Sequence, residues 1–267
     1  MSRNTEDYWK RKDIMAARAY EHYMYVSRTF PKEIQYSTDH TEIFDESTNN
    51  FIPIEFVKYP ETKIEIVDMD SVSAIFQYKD YQENMALLNF ASYKNPGGMF
   101  MKGSTAQEEC LCHSSTLCNV LNRFPEFYNY NKKNINNSLY TNRALYSPRI
   151  IFGMNNMTTC CDIITCAAPN KYGAEKYHNV SESENSSALF SRIRFVLNIA
   201  KMKDVDILIL GAYGCGVFGQ NSFEVASIFK QLLETEFKSC FKKVIFAIPF
   251  SYKNQNLQNF LSVFNVK

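Results

Sequence analysis

The chain of 267 residues holds no run of about 18 apolar residues, so no membrane-spanning helix is expected. Its first stretch, MSRNTEDYWKRKDIMAARAY, is charged and lacks the apolar core of a secretory signal. The expected setting is a cytosol, or one reached by an export route that leaves no such signal. Charge of neither sign prevails: 29 Lys and Arg face 28 Asp and Glu. No overall basic field points to nucleic acid as a partner. The eight cysteines are too few for a disulfide scaffold at this length and read as reduced thiols. CLCH over 110–113, with Cys118 nearby, invites a zinc reading but lacks the paired C-x-x-C spacing of a structural site. No G-x-x-x-x-G-K-[ST] phosphate loop occurs, no repeat is visible, and no Gly- or Pro-rich linker divides the chain. No cofactor or metal is expected.

What is present is a globular composition, 45% apolar and 15% aromatic. Ile14, Ala17, Tyr20, Met24 and Val26 recur at helical spacing over residues 8–30, and Pro31 is expected to end that helix. Residues 31–60 are polar and read as a long connection with short strands. KIEIVD (63–68) alternates like a half-buried strand, SVSAIFQYKD (71–80) reads as a short helix, and MALLNF (85–90) is a continuous apolar run suited to a strand buried on both faces. A helix is expected over 105–122 and a surface loop over the Asn- and Lys-rich 129–137. Strand-like RIIFG (149–153) and DIITCAA (162–168) follow, then a helix starting near 184, where Ser and Glu precede a periodic run. DILILGA (206–212), the amphipathic 222–237, KVIFAI (243–248) and LQNFLSVF complete the alternation. This pattern predicts an α/β fold, a sheet covered by helices on both faces. Residues 1–60 are expected as a helical extension packed on the core formed by 61–267.

Two of the expected strands run into glycine-bearing turns. The first is NFASYKNPGGMF, ending at Gly97 and Gly98; the second is LILGAYGCGVFGQN (208–221). Glycine permits positive φ and close approach of a ligand to the backbone. Exposed amides before a helix make a cradle for phosphate, and ligands of open α/β sheets lie at the carboxyl ends of strands. Two such loops suit a diphosphate held from two sides; singly, each reads equally as a tight turn. GCGVFG has the letters of a dinucleotide fingerprint but no acid about 20 residues on at a strand end. Glu108 and Glu109 open the helix after the first loop. Neighbours on a helix point about 100° apart, so the two are not expected to act as a matched pair on one bond. Acids at a helix start also simply complement its dipole.

Together, LLNFASYKNPGG, GSTAQEE and LGAYGCGVFG resemble the microbial type of poly(ADP-ribose) glycohydrolase, a branch of the macrodomain superfamily. RKDIMAARAYEHY resembles the family's leading helix, and TCAAPNKY (165–172), RIRFVLNIA and KKVIFAI fall in the family order. The resemblance implies a macrodomain-like three-layer α/β/α fold with a mixed central sheet, and ADP-ribose in a cleft at the strand ends. Carried over residue by residue, it implies that Gly97 and Gly98 form one diphosphate loop and that Gly214, Cys215, Gly216, Val217 and Phe218 form the other. Asn89 or Asn95 would bond the distal ribose, and Gln107, beside the acids, would also bind ADP-ribose. Glu108 would bond a ribose hydroxyl and Glu109 would be the catalytic acid. An oxocarbenium-like reaction needs such an acid and good positioning.

The sequence departs from the family where a third glycine is common: Met99 stands there, followed by Phe100. A bulky side chain at that point narrows the place for a next ribose of a polymer. It favours removal of single ADP-ribose units from proteins, as in family members among effectors of intracellular bacteria that act on arginine. The expected partner is ADP-ribose or an ADP-ribosylated protein. The alternatives are a true polymer glycohydrolase, a reader that binds ADP-ribose without cleaving it, an enzyme acting on another nucleotide such as NAD, and a cysteine nucleophile at Cys215. Asp68, Asp70 and Tyr93 stand near strand ends and read either as turn residues or as ligand contacts.

Overall fold

The computed structural model describes residues 2–49, 57–80, 83–154 and 156–266. Seven strands make one mixed sheet: β1 Glu42–Phe44, β2 Lys63–Val67, β3 Met85–Phe90, β4 Ala144–Met154, β5 Met157–Cys166, β6 Ile207–Leu210 and β7 Lys243–Ala247, in the order β1-β4-β5-β3-β6-β7-β2. β5, β3, β6, β7 and β2 run parallel, whereas β4 pairs antiparallel with both β5 and β1. The carboxyl ends of β3 and β6 therefore lie side by side.

Strand periodicity divides the core in two. Successive side chains of a strand point to opposite faces. Ala86 and Leu88 of β3, Leu208 and Leu210 of β6, and Val244 and Phe246 of β7 join one apolar cluster. Met85 and Leu87, Ile207 and Ile209, and Ile245 and Ala247 join the other. The first cluster is closed by α8 Glu182–Met202, α9 Ser222–Glu234 and α10 Asn256–Val263. The second is closed by α1 Ser2–Thr29, α2 Pro31–Asp39, α3 Ser71–Tyr78, α4 Gln107–His113, α5 Leu117–Leu121 and α6 Pro125–Lys133. The result is the three-layer α/β/α arrangement. Continuous apolar strands are what burial on both faces demands.

Three local expectations are corrected. Pro31 ends α1 but also opens α2, because a proline at the first helical position gives up only an amide that has no partner there. The connection over 31–60 is thus partly helical; its residues 50–56 lie outside the described set. The helix expected over 105–122 is two short ones, parted where Ser115 caps the turn by accepting the Leu117 amide. Much of the loop expected over 129–137 is helical, within α6, whose Asn131 is buried and bonds the Tyr93 carbonyl. A further helix, α7 Lys171–His178, follows β5 and is capped by Asn170. Asp70 caps α3 through the Ser73 amide, the turn role its position allowed, and Asp68 accepts the Phe250 amide. Ile14 and Tyr20, two of the residues whose spacing predicted α1, lie on its outer side, exposed.

The start of α8 is the capping box that Ser181 and Glu184 spell: each side chain reaches the other's backbone amide. Replacing Ser181 by Ala should cost about 1 kcal/mol and lower the thermal midpoint by roughly 2–4 °C, read by calorimetry. An unchanged midpoint would show that packing alone fixes this helix start.

Candidate functional site

The site is built where α4 meets the end of β3. Gln107 ties the two together: its Oε1 accepts the Phe90 amide at 2.8 Å and its Nε2 donates to the Leu88 carbonyl at 2.9 Å. A polar side chain thereby replaces the backbone partners that a strand end lacks. Glu108 is buried beneath. Its Oε2 accepts the Ser92 amide at 2.7 Å and its Oε1 the Asn89 side-chain amide at 3.2 Å. Asn89 also donates to Thr165 Oγ1 of β5 at 3.3 Å, while its own Oδ1 has no partner among the described residues. Burial pushes the Glu108 carboxyl up to about 8 against the pull of those two donors, and the neighbouring Glu109 adds to the rise. Glu109, 6% exposed, is held by one oxygen only: Oε1 accepts the Met99 amide at 2.8 Å, and Oε2 has no partner among the described residues.

The first glycine loop is moulded around these two acids. Gly97 and Gly98 both take left-handed backbone, φ 68° and 61°. A Cβ at Gly98 would lie 2.5 Å from Glu109 Oε1 and 2.9 Å from Glu108 Oε2. The 100° offset along α4 therefore does not part the carboxyl groups, because flexible glutamate arms bring both to one glycine. Behind Gly97 stand two buried thiols, Cys118 and Cys112, at 3.1 and 3.2 Å from where its Cβ would be. Cys110, the third cysteine of the zinc reading, is exposed. Asn95 closes the turn, its carbonyl accepting the Gly98 amide at 3.0 Å and its own amide donating to Ser92 Oγ at 3.2 Å. Met99 leaves the loop with its side chain 39% exposed.

The second loop follows β6. Gly214 and Gly219 have φ 75° and 73°, and the Gln220 amide closes the turn on the Gly214 carbonyl. Among the described residues, the amides of Gly216, Val217 and Phe218 meet no protein acceptor. A Cβ at Gly216 would touch nothing within 4 Å, so protein packing does not require glycine there. Val217 at the apex is 85% exposed. Open amides over free space form a cradle for an anion. Burial pushes the Cys215 thiol up to about 12, the opposite of what a nucleophile needs. An aromatic stack joins the loops. Phe218 meets the Tyr140 ring edge-on at 5.9 Å, and Tyr140 stacks on Tyr93 at 4.1 Å. Tyr93 is buried, its hydroxyl donating to the Asn134 carbonyl.

The catalytic domain of microbial-type PARG matches residues 10–153 of this chain, more than half of its length. The chain belongs to that family. No curated protein matches it. Among solved structures, the poly(ADP-ribose) glycohydrolase (PARG) of Thermomonospora curvata is similar at 25% identity and TM-score 0.85, over 94% of this chain and all of that one. The same enzyme bound to the inhibitor ADP-HPD is similar at 25% identity and TM-score 0.83, over 94% of this chain and 99% of that one. The PARG of Deinococcus radiodurans in complex with ADP-ribose is similar at 28% identity and TM-score 0.81, over 86% of this chain and 96% of that one. The fold is thus the macrodomain-like fold of PARG, and the family is one of glycohydrolases.

The PARG match takes in Asn89, the first glycine loop and both glutamates; the second loop, beyond residue 153, falls under the structural likeness alone. Some residues at the strand ends and around the two loops escape sequence reading. Thr165 enters only through strand pairing, opposite Asn89 in the ladder. Tyr140 has φ 62° and bridges the two loops, and nothing in its neighbourhood announces that. Phe250 and Tyr252, exposed and edge-to-face at 4.8 Å, emerge beyond β7, the strand beside β6. Two aromatics soon after an apolar strand were the available signal.

Glu108 also yields a sign for stability. Its carboxyl binds a proton more tightly folded than unfolded, so its favourable contribution is complete below the ordinary glutamate range near 4.5 and is lost as pH rises toward about 8. The thermal midpoint of the free protein should fall across that window. In Glu108→Gln the slope should flatten, as thermal unfolding over a pH series would read; an unchanged slope would mean that Glu108 is ionised throughout.

Proposed function

We propose that this protein is an ADP-ribosyl glycohydrolase that removes single ADP-ribose units from modified proteins, with Glu109 as its general acid and base. The observation that carries the reading is a pair of buried oxygens without a partner among the described residues, Oε2 of Glu109 and Oδ1 of Asn89. A buried polar atom without a partner costs about 1–3 kcal/mol, a cost removed when a ligand group arrives. One oxygen of Glu109 is fixed by the Met99 amide and the other is left to carry a proton. In this reading the proton passes from Glu109 to the oxygen or nitrogen leaving the ribose. The carbon–heteroatom bond breaks through an oxocarbenium-like state, water adds, and its proton returns to Glu109. Asn89 and Glu108 hold ribose hydroxyls. The amides of Gly216, Val217 and Phe218 take the diphosphate on one side, with the backbone at Gly97 and Gly98 on the other. Phe250 and Tyr252 offer faces on which an adenine can stack. Anchoring the nucleotide at a distance supplies the binding energy that positions the scissile bond.

Replacing Glu109 by Gln keeps an acceptor for the Met99 amide but removes the transferable proton. Turnover should fall about a thousandfold while calorimetric affinity for ADP-ribose stays within a few-fold. Equal turnover in the two proteins would remove Glu109 from this role.

The preference for single units rests on Met99. Its amide binds one oxygen of Glu109, and the residue is 39% exposed. For arginine the leaving group is a guanidine, which leaves well only when protonated, the state that Glu109 would maintain in this reading. The solved relatives favour a second reading, hydrolysis of the polymer, since each is a poly(ADP-ribose) glycohydrolase. Met99→Gly discriminates. Release of ADP-ribose from polymer, relative to release from mono-modified protein, should rise by about tenfold; if wild type already cleaves polymer as fast as its best mono-linked substrate, the preference is wrong.

A further inference from the structure

The first glycine loop is held at three points, and one of them is made of sulfur. At its far end Gly103, φ 73°, lies against the Lys12 carbonyl of α1 so tightly that a Cβ has no room. In its middle the Met99 amide binds Glu109. At Gly97 it rests on the buried thiols of Cys118 and Cys112, whose Sγ atoms stand 3.1 and 3.2 Å from where a Cβ would be. Two sulfurs that meet at one point also meet each other: the Cys112 thiol donates a hydrogen bond to Cys118. Cys118 Sγ accepts a second bond from Asn122 Nδ2 at 3.4 Å. The other buried thiols on the sheet are accommodated differently. Cys161 donates to the Met85 and Asp162 carbonyls and Cys166 to the Arg143 carbonyl, as small apolar residues with a weak donor do.

The two sulfurs are also unlike each other. The bond from Cys112, and after it the bond from Asn122, hold the Cys118 thiol below its ordinary pKa although burial opposes them. Burial pushes Cys112 well up, so its proton stays. A sulfur inclined to be thiolate thus faces one that keeps its proton, the pairing of an attacking and a resolving cysteine.

We infer that Cys112 and Cys118 are an oxidation site: a peroxide converts them to a disulfide, and the bond shifts the first glycine loop off its working position. The Cys118 thiolate attacks one peroxide oxygen; the O–O bond breaks, hydroxide leaves, and a sulfenic acid remains. The Cys112 sulfur then attacks the Cys118 sulfur. The S–O bond breaks, and the oxygen departs as water with the Cys112 proton. The two cysteines give up two electrons and the peroxide takes them. Bonded sulfurs stand much closer than hydrogen-bonded ones, so α5 is drawn toward α4 and the seat of Gly97 changes shape. α4 carries both glutamates, and the loop carries the amide that fixes one of them. Gly97 packs directly on both sulfurs, so movement of the loop uncovers them and a ligand that clamps the loop protects them. The loss of turnover rests on the reading of Glu109 given above; the formation of the bond does not.

The test uses the full chain carrying Cys110→Ser and Cys160→Ser, which silences the two exposed thiols. After treatment with hydrogen peroxide, mass spectrometry of the alkylated digest should find Cys112 joined to Cys118. Turnover should fall about a hundredfold and return with dithiothreitol. Saturating ADP-ribose should slow the loss about tenfold. Hydrogen exchange at the Met99 amide should quicken in the oxidised protein, a reading of the loop that needs no catalysis. Adding Cys118→Ala or Cys112→Ala should abolish the reversible loss; where such a variant does not fold, the mapped bond in the parent protein decides. Free Cys112 and Cys118 in the inactivated protein would overturn the inference. So would a mapped disulfide that leaves both turnover and exchange unchanged. A protein that hydrolyses no ADP-ribosyl bond before oxidation would sink the functional reading alone, and the mapped bond and the exchange would still judge this one.

Discussion

Two carboxyl groups pressed against the backbone of one glycine are the constraint from which the rest of this site follows. Oxygens of Glu108 and Glu109 occupy the space that a side chain at Gly98 would need. The residue must therefore be glycine twice over, for its volume and for its left-handed φ. With the backbone so placed, the next amide, that of Met99, falls on Glu109 and fixes one of its oxygens. The Met99 side chain is then turned outward, and the loop must be caught again further on. That is what α1 does at Gly103. A helix far away in sequence thus sets the height of the loop over the acid.

The sheet distributes the remaining tasks. β3 ends in the first loop and its neighbour β6 in the second, so the carboxylates and the open amides arise from adjacent strands. Tyr93, Tyr140 and Phe218 keep the loops in register through ring contacts, which are stiff and cost little side-chain entropy to hold. Rigid supports matter here because a proton transfer tolerates little error in distance, whereas grip on a diphosphate tolerates more.

How much of this was legible in the sequence follows from the range of each interaction. The strands β3, β6 and β7 and the start of α8 were readable because apolar runs and a capping box are local signals. The glycine loops and the acid pair stood out for the same reason, since turn chemistry and helix starts use neighbours. What was not readable depends on distant partners. Nothing near Tyr140 says that it stacks on Tyr93, and nothing near Asn89 says that Thr165 lies opposite. The second helix beginning at Pro31 was hidden because one residue can both stop a helix and start one. The exposed Ile14 and Tyr20 misled for a related reason: periodicity marks an apolar stripe but not whether another element covers it.

The adjacent acids finally explain each other. Two ionised carboxylates touching one atom group in a buried place repel strongly, and such a pair settles by letting one partner keep its proton. Glu108 is the partner that the surroundings press toward neutrality, through burial first and the charge of Glu109 second. Its two donors, Ser92 and Asn89, are fixed, so neutrality does not loosen its position. A neutral, well-held Glu108 serves as a hydrogen-bonding post, and the acid–base role proposed for Glu109 rests on its unpartnered oxygen. The usual glycosidase divides its labour between two carboxyls across the scissile bond. In the proposed reaction the division is made by environment instead: Glu108 is held at both oxygens, and Glu109 keeps one without a partner among the described residues.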